Sequence, residues 1–191
     1  MNEYVSQGFI DLSLPSLSVR MVRSPAPVPE CRLPGGYRME FYRDGDRAYW
    51  VDLEIAVKQF DDREKAAACF EREFPGAEER ARRMRRMLFV FAPDGSCAGT
   101  ATAWCNPDGQ GRVHWVAVHP AHHGRGIAKA LVCRVVALLD GLNPGEIVLY
   151  SGTRSHAAIA MYEKLGFTAD VPGSAGSEEA WRMIREANAA R

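Results

Sequence analysis

Between positions 119 and 129 the chain reads HPAHHGRGIAK, with Gly124 and Gly126 bracketing Arg125 just before an apolar periodic run. In that run, 126–139, Ile127, Ala130, Leu131, Val135, Leu138 and Leu139 recur at helical spacing, with Arg134 interrupting the stripe. The preceding residues, 112–119, read as a strand ending at His119-Pro120. A strand, a glycine turn and a helix start form an anion site. The first backbone N–H groups of a helix have no partner within it, and the helix dipole adds partial positive charge there. Glycines let the chain turn tightly and let a bulky anion reach the main chain. The chemistry expected here is the cradling of a phosphate or pyrophosphate.

Two nucleotide readings fail on the residues. A dinucleotide loop starting at Gly124 needs a small residue at 129, where Lys129 stands, and it belongs after a first strand. A phosphate loop of the Gly-Lys-Ser/Thr type is absent.

A second segment, SHAAIAMYEKLGF at 155–167, lies one strand downstream. HGRGIA at 123–128 resembles the pyrophosphate loop of the GNAT (GCN5-related) N-acetyltransferases, with His123 where Gln or Arg is usual. The second segment resembles the same family's N-x-x-A-x-x-x-Y-x-x-x-G-F pattern. Ala158, Tyr162, Gly166 and Phe167 are in register, and Ser155 replaces Asn. The resemblance covers 87–170. It implies an α/β (α+β) fold with a mixed, mostly antiparallel central sheet flanked by helices and a splayed strand at the acetyl-CoA site.

The resemblance also implies acetyl-CoA as co-substrate, without a metal, and an amine attacking it directly in a ternary complex. By position, main-chain groups of Val116, Ala117 and Val118 would bind the pantetheine arm, and an amide near Val116 or Ala117 would meet the developing oxyanion. The pyrophosphate would sit on His123, Gly124, Arg125, Gly126, Ile127, Ala128 and Lys129, with Ser155 also on the cofactor side. Tyr162 holds the general-acid position and would protonate the leaving thiolate, whose ordinary pKa is about 8.5.

The amine, with an ordinary pKa of about 10.4, needs a base. His114 on the strand before the loop is the residue taken for that role. His119, Tyr150, Glu40, Asp52 and Glu54 are further candidates. His114 and Trp115 are neighbours on a strand and should face opposite sides. Trp104 and Trp115 could line an acceptor pocket or belong to the core. His122 goes with the loop. A different class of function is a catalytically degenerate GNAT fold that senses acyl-CoA or serves as a scaffold.

The elements that must position these groups are legible as patterns. Prolines at 15, 25, 27, 29 and 34 leave room only for short extended pieces such as 17–23. A strand is expected at 37–43, then a helix over 47–58 capped by Asp46 and a second helix, DREKAAACFEREF at 62–74, capped by Asp61 and Asp62. A short basic helix over 77–86 follows. Runs at 87–92, 97–105 and 112–119 read as a three-stranded meander. Asn143-Pro144-Gly145 should end the glycine-loop helix. A strand at 146–151, a helix at 156–165 capped by Ser155 and stopped by Gly166, a strand at 167–169 and a helix at 177–189 complete the chain. A single domain, 1–191, is expected, with 1–86 as variable acceptor-side elements.

Composition bounds the function. With 47% hydrophobic and 25% charged residues the chain is globular, not disordered. Lys and Arg number 24, Asp and Glu 24, so binding nucleic acid through bulk positive potential is not expected. The arginines of 80–86 read as a solvated helix face. No membrane-length apolar run and no secretory pattern occurs. Five cysteines without Cys-x-x-Cys spacing argue against disulfides or zinc and for a reducing cytoplasm. The partner expected is a small-molecule or peptide amine, and the family resemblance allows a homodimer.

Overall fold

Apolar runs in this chain become strands and the amphipathic ones helices, close to where patterning puts them. The structure is a computed structural model that describes residues 10–106, 108–142, 145–173 and 177–190. The strands are β1 (Ser18–Arg23), β2 (Arg38–Phe41), β3 (Met87–Phe91), β4 (Cys97–Cys105), β5 (Gly111–Val118), β6 (Ile147–Gly152) and β7 (Thr168–Ala169). The helices are α1 (Arg47–Ala56), α2 (Arg63–Glu73), α3 (Gly76–Arg86), α4 (Ile127–Leu142), α5 (His156–Lys164) and α6 (Ser177–Ala189). The fold is mixed α/β, with mostly antiparallel sheet flanked by helices. Of the break expected after α4, Asn143 and Pro144 lie outside the described residues.

The chain divides into two compact units: Met1–Pro29, Cys105–Arg112 and Leu139–Arg191 make the first, and Glu30–Trp104 and Val113–Leu138 the second. In the first, β1 pairs antiparallel with β6 on one side and β7 on the other, so that Met21 stands opposite Leu149 and Ala169. Arg23 is buried, and two of its three guanidinium nitrogens are hydrogen-bonded while the third lies 3.9 Å from the Asp140 carboxylate. Its Nε donates to Leu165 O at 3.1 Å and Nη2 donates to Ala26 O at 2.6 Å. α5 and α6 are joined by His156 Nδ1 and Asn188 Oδ1 at 2.7 Å, while the Asn188 amide donates to His156 O.

In the second unit the strand order is β2-β3-β4-β5. All five residues of β3 are buried, as a central strand requires. β2 and β4 flank it antiparallel, with Phe89 opposite both Glu40 and Thr100. The turn from β4 to β5, which belongs to the first unit, closes with Asn106 N donating to Gln110 O; within the second unit His119 N reaches back to Ala98 O. The core between this sheet and α1–α2 is aromatic, built on Trp50, Phe70, Phe74 and Phe89. Gly99 on β4 permits the closest approach in this layer. A Cβ there would lie 2.9 Å from Ala117 O on β5 and 3.3 Å from Ile127 in the first turn of α4. Its missing side chain therefore lets the start of α4 settle against the strands.

Four expectations need correction. Asp46 does not cap α1. Its backbone is already helical and its carboxylate instead accepts from Arg43 N at 2.7 Å. Asp62 does cap α2, accepting from Lys65 N at 2.8 Å. Asp62→Ala should cost about 1 kcal/mol, read as a lower thermal midpoint. Ser155 makes no capping bond, because a 3-10 turn, Thr153–Ser155, leads directly into α5. The basic run is not wholly solvated either. Arg80 pairs with Asp44 and Arg82 with Glu78 and Glu79, but Arg83 turns inward, donates to Phe74 O and lies 5.2 Å over the Tyr42 and Phe70 rings. Finally, Cys31 and Cys133 form a disulfide. Spacing arguments see only neighbours in sequence, whereas these two thiols are 102 residues apart and meet through the fold, their Cα atoms at 6.2 Å.

Candidate acetyl-CoA site

The loop after β5 is built by short-range bonds among its own histidines. A 3-10 turn, Pro120–His122, starts at His119, whose Nδ1 accepts from Ala121 N at 3.2 Å. His123 Nε2 lies 2.7 Å from Val118 O, so this ring closes the loop on the end of β5. The bond gives His123 a loop-holding contact where the family pattern has Gln or Arg. Tyr37 hydroxyl and His122 Nδ1 are 2.9 Å apart, joining the loop to the segment before β2. Burial and the neighbouring His119 and Arg125 charges hold His122 below the usual histidine range.

Gly124 and Gly126 have φ of +72° and +79°, conformations that side chains resist. They aim the intervening amides outward. The first helical bond is Ala130 N to Gly126 O at 3.0 Å, and the N–H groups of residues 124–129 donate to no carbonyl among the described residues. Gly124, Arg125, Gly126 and Lys129 are exposed, and a Cβ built on either glycine meets nothing within 4 Å. Free amides, open approach and two flanking cations fit a diphosphate.

β5 itself carries the irregularity. Trp115 has φ of +49°, rare for a bulky residue. The expected alternation therefore fails: the His114 and Trp115 rings lie 5.2 Å apart, and Trp104 lies 5.7 Å from His114. His114 is buried, with Nε2 3.3 Å from the Glu73 carboxylate on α2. No sequence spacing ties Glu73 to His114, since α2 and β5 meet only through the fold. Trp50 on α1 meets Trp115 edge to face at 5.0 Å. Glu54, one turn along α1, is 3% exposed, and burial pushes its carboxyl up to about 8. Glu40 and Asp52 instead pair with arginines near the surface. Burial also pushes the Cys69 thiol up and the Cys97 thiol up to about 12.

Tyr162 and Ser155 belong to the first unit. The spacing Tyr-x-x-x-Gly-Phe has a local explanation there. Gly166, with φ of +87°, ends α5; its N–H donates to Glu163 O, and Phe167 N donates to Tyr162 O at 3.1 Å. These are the two bonds of a Schellman motif, completed by packing of Phe167 against Tyr162 at 6.1 Å between ring centroids. The helix end thus fixes the Tyr162 ring. Tyr162 is 7% exposed, and burial alone pushes its phenol up to about 12. Tyr150 is exposed on β6, beneath the Arg112 guanidinium.

A model of the acetyltransferase (GNAT) family matches residues 39–167. The chain belongs to the GNAT family. Among known relatives it is 30% identical over 154 residues to a mycothiol acetyltransferase of Salinispora tropica, covering 74% of this chain and 48% of that one. It is 26% identical over 153 residues to a mycothiol acetyltransferase of Thermomonospora curvata, covering 80% and 51%. This GNAT chain thus spans about half the length of the curated relatives it matches. Among solved structures it resembles a GCN5-related N-acetyltransferase from Sphaerobacter thermophilus, with a TM-score of 0.63 and 21% identity, over 81% of this chain and 49% of that one. That likeness concerns the fold. No helix among the described residues is long and apolar enough to cross a membrane.

Proposed function

We propose that this GNAT chain transfers an acetyl group from acetyl-CoA to a primary amine, carried by a small molecule or a peptide, by direct attack within a ternary complex. The observation that carries the reading is the run of undonated amides at 124–129 on an open glycine turn. These amides, with Arg125 and Lys129, hold the pyrophosphate. Main-chain groups of Val116, Ala117 and Val118 receive the pantetheine arm, and an amide at Val116 or Ala117 stabilises the oxyanion. His114, oriented by Glu73, takes the proton released as the amine attacks. Tyr162 supplies an O–H to the departing thiolate. Burial raises the Cys69 and Cys97 thiols and keeps them protonated near neutral pH, so neither of these two serves as the nucleophile of an acyl-cysteine route.

The test is release of CoA thiol from acetyl-CoA over a panel of primary amines. The names of the relatives put mycothiol-related amines first in that panel. Amine-dependent release supports transfer. Binding of acetyl-CoA without turnover across the panel would leave an acyl-CoA-binding module, and absence of binding would remove the acetyl-CoA reading.

A narrower result concerns the turn. Gly126→Val should raise the Kd for CoA by about 30-fold, because a branched side chain both strains a left-handed position and fills the diphosphate's approach. Gly45→Val, at φ of +100° between β2 and α1, carries the same kind of strain outside the loop and should leave CoA affinity unchanged. Calorimetry giving equal affinities for wild type and Gly126→Val would misplace the cradle.

A further inference from the structure

Buried polar atoms nearly always find partners, so those that do not require a reason. In the second unit two such atoms belong to indoles of one aromatic cluster, and a third lies on the same helix face as one of them. Glu54 Oε1, Trp50 Nε1 and Trp115 Nε1 are buried with no hydrogen-bond partner among the described residues. Trp50 and Glu54 stand four apart on α1 and share a helix face. The Trp50 and Trp115 rings are 5.0 Å apart, and Phe60 stacks on Trp115 at 6.2 Å. Trp115 also sits in a left-handed conformation, a kind of strain that clusters where ligands are held. A buried carboxyl with an unbonded oxygen, one turn from an indole on the same helix face, lacks a hydrogen-bond donor, which an ammonium supplies.

We propose that Glu54, with the indoles of Trp50 and Trp115, binds the ammonium group of the acceptor amine. This inference rests on the acetyl-transfer reading for the name "acceptor", and it narrows the class. Glu54, neutral in the free protein, gives up its proton to solvent as the ammonium enters and so becomes its counter-charge, while the indole rings give cation–π contact. The two indole N–H groups are donors, so the molecule they serve carries oxygen acceptors near its amine. The substrate class is a primary amine flanked by hydroxyl or carbonyl oxygens. Glu54 is a specificity-determining residue, distinct from the proton acceptor at His114.

The experiment uses the whole chain without CoA and a small probe, 2-amino-1,3-propanediol, with glycerol as its uncharged isostere. Quenching of tryptophan fluorescence reports binding. Saturable quenching by the aminodiol and none by glycerol is expected. Glu54→Gln should weaken aminodiol binding at least tenfold, and Glu54→Asp by less. CoA affinity and thermal midpoint, measured on the same variants, show that they are folded. No saturable quenching of wild type, or equal affinity in wild type and Glu54→Gln, overturns the proposal. If wild type binds the aminodiol in this way but binds no acetyl-CoA, the acetyl-transfer reading fails and the ammonium site stands.

Discussion

Tyr162→Phe is expected to lower kcat by about 10²- to 10³-fold while changing the KM for acetyl-CoA less than about threefold. The substitution deletes one oxygen and leaves the ring, so the packing on Phe167 and the helix end at Gly166 persist. Folding should not suffer, because burial is the whole cause of the raised phenol and no hydrogen bond is lost with it. A phenol near 12 keeps its proton throughout the working range. A thiolate leaving at an ordinary value of about 8.5 is the weaker base, so in the proposed mechanism Tyr162 presents an O–H as the carbon–sulfur bond breaks and does not transfer its proton early. The kcat profile of wild type should therefore show no break assignable to this tyrosine below about pH 11. Steady-state kinetics finding kcat within a factor of three in the Phe variant would remove Tyr162 from the mechanism.

The second large effect is on stability. Folded, the Glu54 carboxyl keeps its proton up to about pH 8; unfolded, it ionises near its ordinary 4.5. Between these values the unfolded state binds fewer protons than the folded one, so stability falls as pH rises. The contribution is fully present below pH 4.5, and its loss by pH 8 is on the order of 4 kcal/mol. Urea midpoints at pH 5 and pH 8 should therefore differ more in wild type than in Glu54→Gln, which cannot ionise. Equal pH dependence in the two proteins would mean that Glu54 is already charged when folded.

What the residues reveal in advance follows from the range over which each feature is encoded. The loop is written locally. Two glycines and the onset of a 3.6-residue period suffice to place the free amides at 124–129. Tyr162 is legible for the same reason, since the Schellman closure from Tyr162 to Phe167 spans only six residues. Features made by contacts across the fold are not legible in this way. Nothing in the spacing links Glu73 to His114, or Cys31 to Cys133. Nor does a two-residue alternation foresee φ of +49° at Trp115, which puts neighbouring rings side by side. Glu54 is the clearest case. As an acidic residue on an amphipathic helix it reads as one of several acceptor-side carboxylates, yet it is buried while Asp52, two residues before it, meets Arg63 outside. Local capping rules fail where a turn already supplies the geometry, as at Ser155.

The bridge between Cys31 and Cys133 has a practical consequence for kinetics. Cys133 sits on α4, the helix whose first turn carries the free amides, and Cys31 on the strap that leads to Tyr37 and its bond with His122. A reductant added to keep released coenzyme thiol readable can open this bridge. Rates taken with and without dithiothreitol then describe two covalent forms of one enzyme. The oxidised form has α4 tethered covalently to that strap, and the reduced form leaves the helix to its noncovalent contacts, among them Arg134 over the Phe41 ring.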